Sequence, residues 1–107
     1  MVVSMRPYKR SDIPRVIEVT RKFSLAHGEP VAYGPEGAAR LGITDLTGTK
    51  PDWGGSIRLE DDEVPVFWAC GVTPQLVVMN SGIEGTVMAH KPGHMLVTDL
   101  PDDEVCL

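Results

Sequence analysis

The chain has 107 residues, of which 42% are hydrophobic and 23% charged, as is typical of one folded domain and not of a disordered segment. Its formal net charge of -5, from 15 acidic and 10 basic residues, argues against a nucleic-acid partner, because phosphates require a basic face. No apolar run approaches the roughly 20 residues of a membrane span, and the N-terminus lacks the plan of a signal peptide. We therefore expect a single domain over residues 1–107 that is cytoplasmic and binds neither nucleic acid nor membrane.

The clearest predicted element is a helix that begins at Ser11 or Asp12 and stops at Gly28. Serine and aspartate cap the free N–H groups of a first turn, whereas glycine adopts the left-handed conformation that ends many helices. The apolar side chains recur at spacings of three and four, which predicts one buried face: Ile13, Val16, Ile17, Thr20 and Phe23. His27 precedes that glycine, and we interpret it as a residue favoured there by the helix dipole.

Short apolar segments predict the strands of a sheet. They cover residues 2–6 (closed by Pro7), 30–33, 57–59, 64–70, 85–90 and 94–99. The third and fourth segments predict a hairpin, and Pro65 should lie at a strand start or a sheet edge because it cannot donate to a ladder. Pro92 and Gly93 predict a type II turn between the last two segments.

Two shorter helices complete the predicted elements. One covers residues 35–41 and ends at Gly42, and the other has Thr73 as its N-cap and stops near residues 80–82. Strands and helices thus alternate along the chain. This order predicts an α/β (α+β) fold, a layered sandwich with a mixed β-sheet and two to three helices.

Cys70 is the first candidate for chemistry, because it ends a strand and is followed by a glycine and a helix N-terminus. The free N–H groups and positive dipole end of a helix favour a thiolate and would also hold an anionic substrate oxygen. The alternative is a packing cysteine, since free cysteines are among the most buried residues. The second cysteine, Cys106, lies near the C-terminus, and we predict neither a disulfide nor a zinc site.

Three further residues are candidates by their side-chain chemistry. His90 and His94 flank the predicted turn, and either imidazole is a candidate general acid or base, the alternative being a hydrogen-bonded loop histidine. A metal would need a third ligand, so we predict no metal and no cofactor. Arg6 is a candidate for bidentate recognition of a carboxylate, or else an ordinary surface group.

Several segments together resemble a known family. They are residues 4–7, 27–28 with Pro30, 64–75 and 90–100. These segments are similar to the family known as "putative hydro-lyase", which is related to the corresponding domain of mitochondrial D-glutamate cyclase. The string Phe-Trp-Ala-Cys-Gly-Val-Thr-Pro-Gln at residues 67–75 is the most specific part. The resemblance covers nearly the whole chain and matches the C-terminal portion of that family.

The resemblance implies a hydro-lyase-type domain that acts on a small amino or carboxylic acid, as in the dehydration of D-glutamate to 5-oxo-D-proline. Such a lactamisation needs proton transfer, stabilisation of an oxyanion and recognition of the α-carboxylate. We predict Cys70, His90 and His94 as catalytic residues. We predict Arg6, Thr73 and Gln75 as substrate-binding residues, with the helix N-terminus at Thr73 stabilising the oxyanion.

Two alternatives stay open. In the first, the domain is a non-catalytic module that binds a small carboxylate. In the second, it is a truncated fragment that self-associates as a homo-oligomer. Self-association follows if the family's remaining portion normally covers one apolar face of this domain. For the hydro-lyase and for the binding module, the partner is a small-molecule carboxylate or amino acid.

Overall fold

The computed structural model describes residues 1–46 and 51–106. Its strands are β1 (Val3–Lys9), β2 (Ala32–Tyr33) and β3 (Glu63–Ala69). Its α-helices are α1 (Ile13–Arg21), α2 (Gly34–Arg40) and α3 (Val72–Asn80), and short 3-10 helices cover Arg10–Asp12 and Asp102–Val105. The predicted α+β class is therefore confirmed. No helix in these two ranges is long and apolar enough to cross a bilayer.

The sheet has the order β1-β3-β2, with β3 in the centre. Both neighbours run antiparallel to β3, so the predicted mixed sheet is wrong for the described residues. β1 and β2 do run in the same direction, but they never pair because β3 separates them. The sheet is thus assembled from strands that are far apart in sequence and not from a local hairpin.

Two prolines face each other inside this sheet. Pro7 pairs with Pro65, and the Arg10 N–H donates to Asp62 O at 3.0 Å three positions further along the same ladder. Because bonded and non-bonded pairs alternate, the two prolines form a non-bonded pair, whose nitrogens point away from each other. β1 therefore continues past Pro7, which we predicted would close it. Pro65 lies in the central strand, but β2 has already ended beside it at Tyr33.

The core consists of two layers, one on each face of the sheet. Alternation along β3 sends successive side chains to opposite faces. The α1 face buries Ile13, Val64, Val66 and Trp68. The α2 face buries Ala32, Ala38 and Phe67. The domain is therefore a helix–sheet–helix sandwich, as the layered prediction required, and β3 is covered on both faces.

Three of the predicted strands do not form. Residues 57–59, 85–90 and 94–99 have no regular secondary structure. The hairpin is wrong because β1 and β2 already occupy both edges of β3. The other two segments have strand-like composition. A strand also needs a neighbouring strand to pair with, and the described residues provide none for these segments.

The predicted type II turn forms, whereas the predicted end of the first helix at Gly28 is wrong. Gly93 has a φ of 80°, and the His94 N–H donates to Lys91 O at 3.3 Å, which confirms the type II turn. α1 ends at Arg21, before the predicted stop, and the chain then turns back to Gly28, whose φ is 67°.

Candidate functional site

A cleft of about 350 Å³ lies between the sheet and the segment that follows α1. Alternation along β1 places Ser4, Arg6 and Tyr8 on the α1 face, and the turn after α1 brings His27 against the same face. The complete lining is Ser4, Arg6, Tyr8, Thr20, Phe23, Ala26, His27, Gly28 and Trp68. We call this space the Arg6–His27 cleft.

His27 is fixed to the end of the central strand. Its Nδ1 lies 2.7 Å from Ala69 O, and the Trp68 Nε1–H donates to Gly28 O at 3.1 Å. Both bonds join positions at least 40 residues apart in sequence. The helix-dipole interpretation of His27 is wrong, because α1 ends well before it at Arg21. Sequence reasoning missed this residue because its partner is a remote backbone carbonyl.

Arg6 brings a cation to the cleft. Its Nη1 donates to the Met5 carbonyl at 2.8 Å, and its side chain is exposed. The ion pairs within the described residues join other groups: Lys9 with Asp62, Arg15 with Glu18, and Arg21 with Glu29. The guanidinium of Arg6 therefore has no carboxylate partner in this part of the chain, which leaves it able to bind one from solution.

Cys70 and Thr73 are held by the start of the chain. The Cys70 N–H donates to Val2 O at 3.2 Å, so the ladder with β1 continues for one more residue beyond β3. The same alternation places Cys70 on the face that carries Trp68 and the cleft. The Thr73 hydroxyl accepts from the Val2 N–H at 2.8 Å and donates to Val2 O at 3.0 Å.

The first turn of α3 has fewer free donors than the sequence suggested. α3 begins at Val72 with Gly71 as its N-cap, so Thr73 is not the cap we predicted. The Thr73 N–H donates to Cys70 O at 3.0 Å, and Pro74 has no N–H. Thr73 thus serves in this structure as the link between α3 and the N-terminal strand, and its role toward an oxyanion stays a prediction.

The remaining candidates lie apart from the cleft lining. The Gln75 Nε2–H donates to His90 O at 2.9 Å, which brings these two residues together. His94 Nδ1 is 3.4 Å from Pro92 O, within its own turn. No hydrogen bond or ion pair in residues 1–46 and 51–106 joins Cys70 to either histidine. Within the same ranges, no three His, Cys, Asp or Glu side chains gather as a metal site would require, and both cysteines are free thiols.

A family model described as D-glutamate cyclase matches residues 1–99. The chain belongs to the D-glutamate cyclase family. It is 50% identical to "Putative hydro-lyase YcsI" of Bacillus subtilis over 107 residues, which are 100% of this chain and 40% of that protein. "Putative hydro-lyase Atu3911" of Agrobacterium fabrum is 50% identical over 95% of this chain and 36% of its own length. "Putative hydro-lyase C5H10.01" of Schizosaccharomyces pombe is 48% identical over 92% of this chain and 32% of its own length. The chain therefore spans about a third to two fifths of the length of these relatives.

Three of the four segments that carry the resemblance to the D-glutamate cyclase family contribute to the Arg6–His27 cleft, and residues 90–100 do not. Residues 4–7 supply Ser4 and Arg6, residues 27–28 supply the histidine loop, and residues 64–75 supply Trp68. These segments are separated in sequence, but β1 and the loop after α1 both contact the end of β3. The cleft therefore brings together motif residues from three separate parts of the chain.

Proposed function

We propose that this domain takes part in hydro-lyase chemistry on a small amino or carboxylic acid, of the kind that converts D-glutamate into 5-oxo-D-proline. Membership of the D-glutamate cyclase family supports the reaction class. The observation that carries the proposal is the Arg6–His27 cleft. Its lining includes an arginine that has no carboxylate partner among the described residues and a histidine whose ring is hydrogen-bonded to Ala69 O. The family relation alone would not select these residues.

The cleft is an open depression with room for a small molecule. Its volume of about 350 Å³ lies within the range of ligand pockets, roughly 300–1,000 Å³. Tyr8 and Trp68 form an edge-to-face pair with ring centroids 5.9 Å apart, and this pair provides an apolar wall beside the charged groups. The Arg6 guanidinium can donate two parallel hydrogen bonds to a carboxylate, which gives the interaction a defined geometry.

Cys70 extends the same face beyond the cleft. A thiol at this position is available as an acid, a base or a nucleophile toward the side-chain carboxyl of a substrate whose α-carboxylate Arg6 holds. We keep His90, His94, Thr73 and Gln75 as further proposed site residues, since the family segments contain all four. If Cys70→Ala and His94→Ala both left turnover unchanged, neither side chain would take part in the reaction.

The test is turnover of D-glutamate, followed by loss of the free amine and by formation of 5-oxo-D-proline. Arg6→Ala should weaken D-glutamate binding about 10- to 100-fold, because charge-assisted hydrogen bonds contribute about 1.5–3 kcal/mol. Arg15→Ala is the matched control, since Arg15 pairs with Glu18 on an exposed part of α1. Equal losses in both variants would mean that general charge, and not the cleft, attracts the substrate.

A non-catalytic carboxylate-binding module is the second candidate. The observation that favours it is that the matched relatives are about two and a half to three times as long as this chain, so most of each relative lies outside the shared region. This module would bind D-glutamate or glutarate with the same dependence on Arg6. It would form no 5-oxo-D-proline.

A further inference from the structure

We propose that His27 is the general base of this site and takes a proton from the ammonium group of an amino-acid substrate at its Nε2 atom. This proposal rests on the hydro-lyase function proposed above and assigns it a residue that the sequence patterns did not. The proposal rests on the hydrogen bond from His27 to Ala69 O, on the loop that holds His27 and on the cleft that both Arg6 and His27 line.

The hydrogen bond to Ala69 determines which ring nitrogen carries the proton. A backbone carbonyl oxygen accepts and cannot donate, so the 2.7 Å contact requires that Nδ1 is protonated. In a neutral imidazole the other nitrogen, Nε2, then has a free lone pair. His27 is therefore held in the tautomer that accepts a proton at Nε2. In catalytic bases of this kind, a hydrogen-bond acceptor at one ring nitrogen orients the other toward the substrate.

The surrounding contacts keep the ring at the cleft. The Trp68 indole donates to Gly28 O at 3.1 Å, which fixes the residue next to His27 against β3. Gly28 also closes the loop through its own N–H, which donates to Phe23 O at 3.0 Å. Because the loop is bonded at both ends, the imidazole is positioned before any substrate arrives, and less entropy is lost when the substrate binds.

The other two histidines lack this arrangement. His94 Nδ1 has a long 3.4 Å contact to Pro92 O, two residues away in the same exposed turn. His90 contributes its backbone carbonyl to Gln75. Neither histidine lines the Arg6–His27 cleft, so His27 is the imidazole that shares a cavity with the guanidinium.

The proton transfers balance for lactamisation of an amino acid with a side-chain carboxylate. Nε2 takes one proton from the ammonium, and the neutral amine attacks the side-chain carboxyl carbon, forming a C–N bond. One C–O bond then breaks. The departing oxygen leaves as water with the proton returned from His27 and a second proton from the amine nitrogen. Arg6 holds the α-carboxylate during these steps and does not exchange protons.

The first arm of the experiment measures the tautomer directly. Long-range proton–nitrogen NMR correlations on the ¹⁵N-labelled chain should show that the neutral form of the His27 ring is protonated at Nδ1 and unprotonated at Nε2. Addition of D-glutamate should shift the Nε2 resonance of His27, and Arg6→Ala should remove that shift. A His27 ring protonated at Nε2 in the neutral form would overturn the proposal, whatever the protein catalyses.

The second arm uses His27→Asn, whose amide N–H can still donate to Ala69 O but which has no basic nitrogen. This variant should keep the fold and bind D-glutamate, while kcat falls about 10²- to 10⁴-fold, the usual contribution of a general base. Unchanged kcat in His27→Asn would overturn the proposal and leave the proposed function standing. A wild-type chain that binds D-glutamate without forming 5-oxo-D-proline would overturn the proposed function, and the proton transfer by His27 with it.

Discussion

The central strand β3 and residues 81–101 are both rich in apolar side chains, but the structure treats them in opposite ways. Val66 and Phe67 in β3 are 0% and 1% exposed. In the second region Met88, Met95 and Val97 are 89%, 89% and 81% exposed. The difference comes from the neighbouring elements, because β3 has a strand on each edge and a helix on each face, which cover its side chains. Apolar composition alone therefore does not make a strand, and a free edge must be available.

α3 stands between these two regions. Most of its residues are apolar and they are not confined to one side, yet none of them is buried, although helices of this kind are normally covered. Its described side-chain links are the Thr73 bonds to Val2 and the Gln75 bond to His90. The predictions below compare the stability of the sheet with that of α3 and the residues after it, which are attached through these few hydrogen bonds.

Phe67→Ala should produce the largest effect. The Phe67 side chain is 1% exposed and fills the layer between the sheet and α2. Its truncation should lower the free energy of unfolding by about 3–5 kcal/mol, through lost burial and the cavity left behind. Urea denaturation followed by circular dichroism measures this change. Val97→Ala, at an 81% exposed position, should change the same quantity by less than about 0.5 kcal/mol. Similar losses in both variants would show that residues 81–101 are packed as tightly as the sheet.

Trp68→Phe should have the next largest effect. It removes the Nε1–H that holds Gly28 O and leaves a small cavity beside Tyr8. We expect a loss of about 2–3 kcal/mol in the free energy of unfolding, from one hydrogen bond and reduced packing. Faster amide exchange at residues 26–28 should accompany it. The control is Trp53→Phe, since Trp53 is 45% exposed and should tolerate the change. Unchanged exchange at residues 26–28 would mean that the His27 loop is held without the indole.

Thr73→Val should have a smaller effect. It keeps the shape of the side chain but removes both hydrogen bonds to Val2, so the free energy of unfolding should fall by about 1–2 kcal/mol. Amide exchange in α3 should become faster while exchange in β3 stays slow. Thr73→Ser retains the hydroxyl and should behave like the wild type. Equal exchange in α3 for Val and Ser variants would contradict the view that these bonds attach α3 to β1.

The sequence predicted the elements whose signals are local. Periodic apolar spacing indicated α1, and glycine and proline chemistry indicated the ends of α2 and the type II turn at residues 92–93. The strand pairing was wrong wherever it relied on neighbours in sequence. β3 pairs with β1 and β2 across long separations, and no pattern in residues 57–70 indicates that both edges are taken.

The candidate site divides in the same way. Arg6 could be proposed from its residue type and its place on a short strand, and the structure puts it in a cleft. His27 could not be assigned, because its orientation depends on Ala69 O, 42 residues away in the chain. The family segments did contain both residues. The resemblance of these segments to the family therefore included two residues that the structure brings to one cleft, which the helix and strand patterns did not indicate.

Gln75→Ala should have the smallest effect on stability and a selective effect on residues 81–101. The bond from Gln75 Nε2 to His90 O is exposed, so its loss should change the free energy of unfolding by less than about 0.5 kcal/mol. NMR relaxation should show greater motion around residues 88–94, since this bond links that segment to α3. Gln75→Glu is the matched variant, because a carboxylate has nearly the same shape but cannot donate to a carbonyl. It should therefore match Gln75→Ala. If Gln75→Glu kept the segment rigid, packing and not hydrogen bonding would hold it, and the contrast between the two regions would be smaller than their exposure suggests.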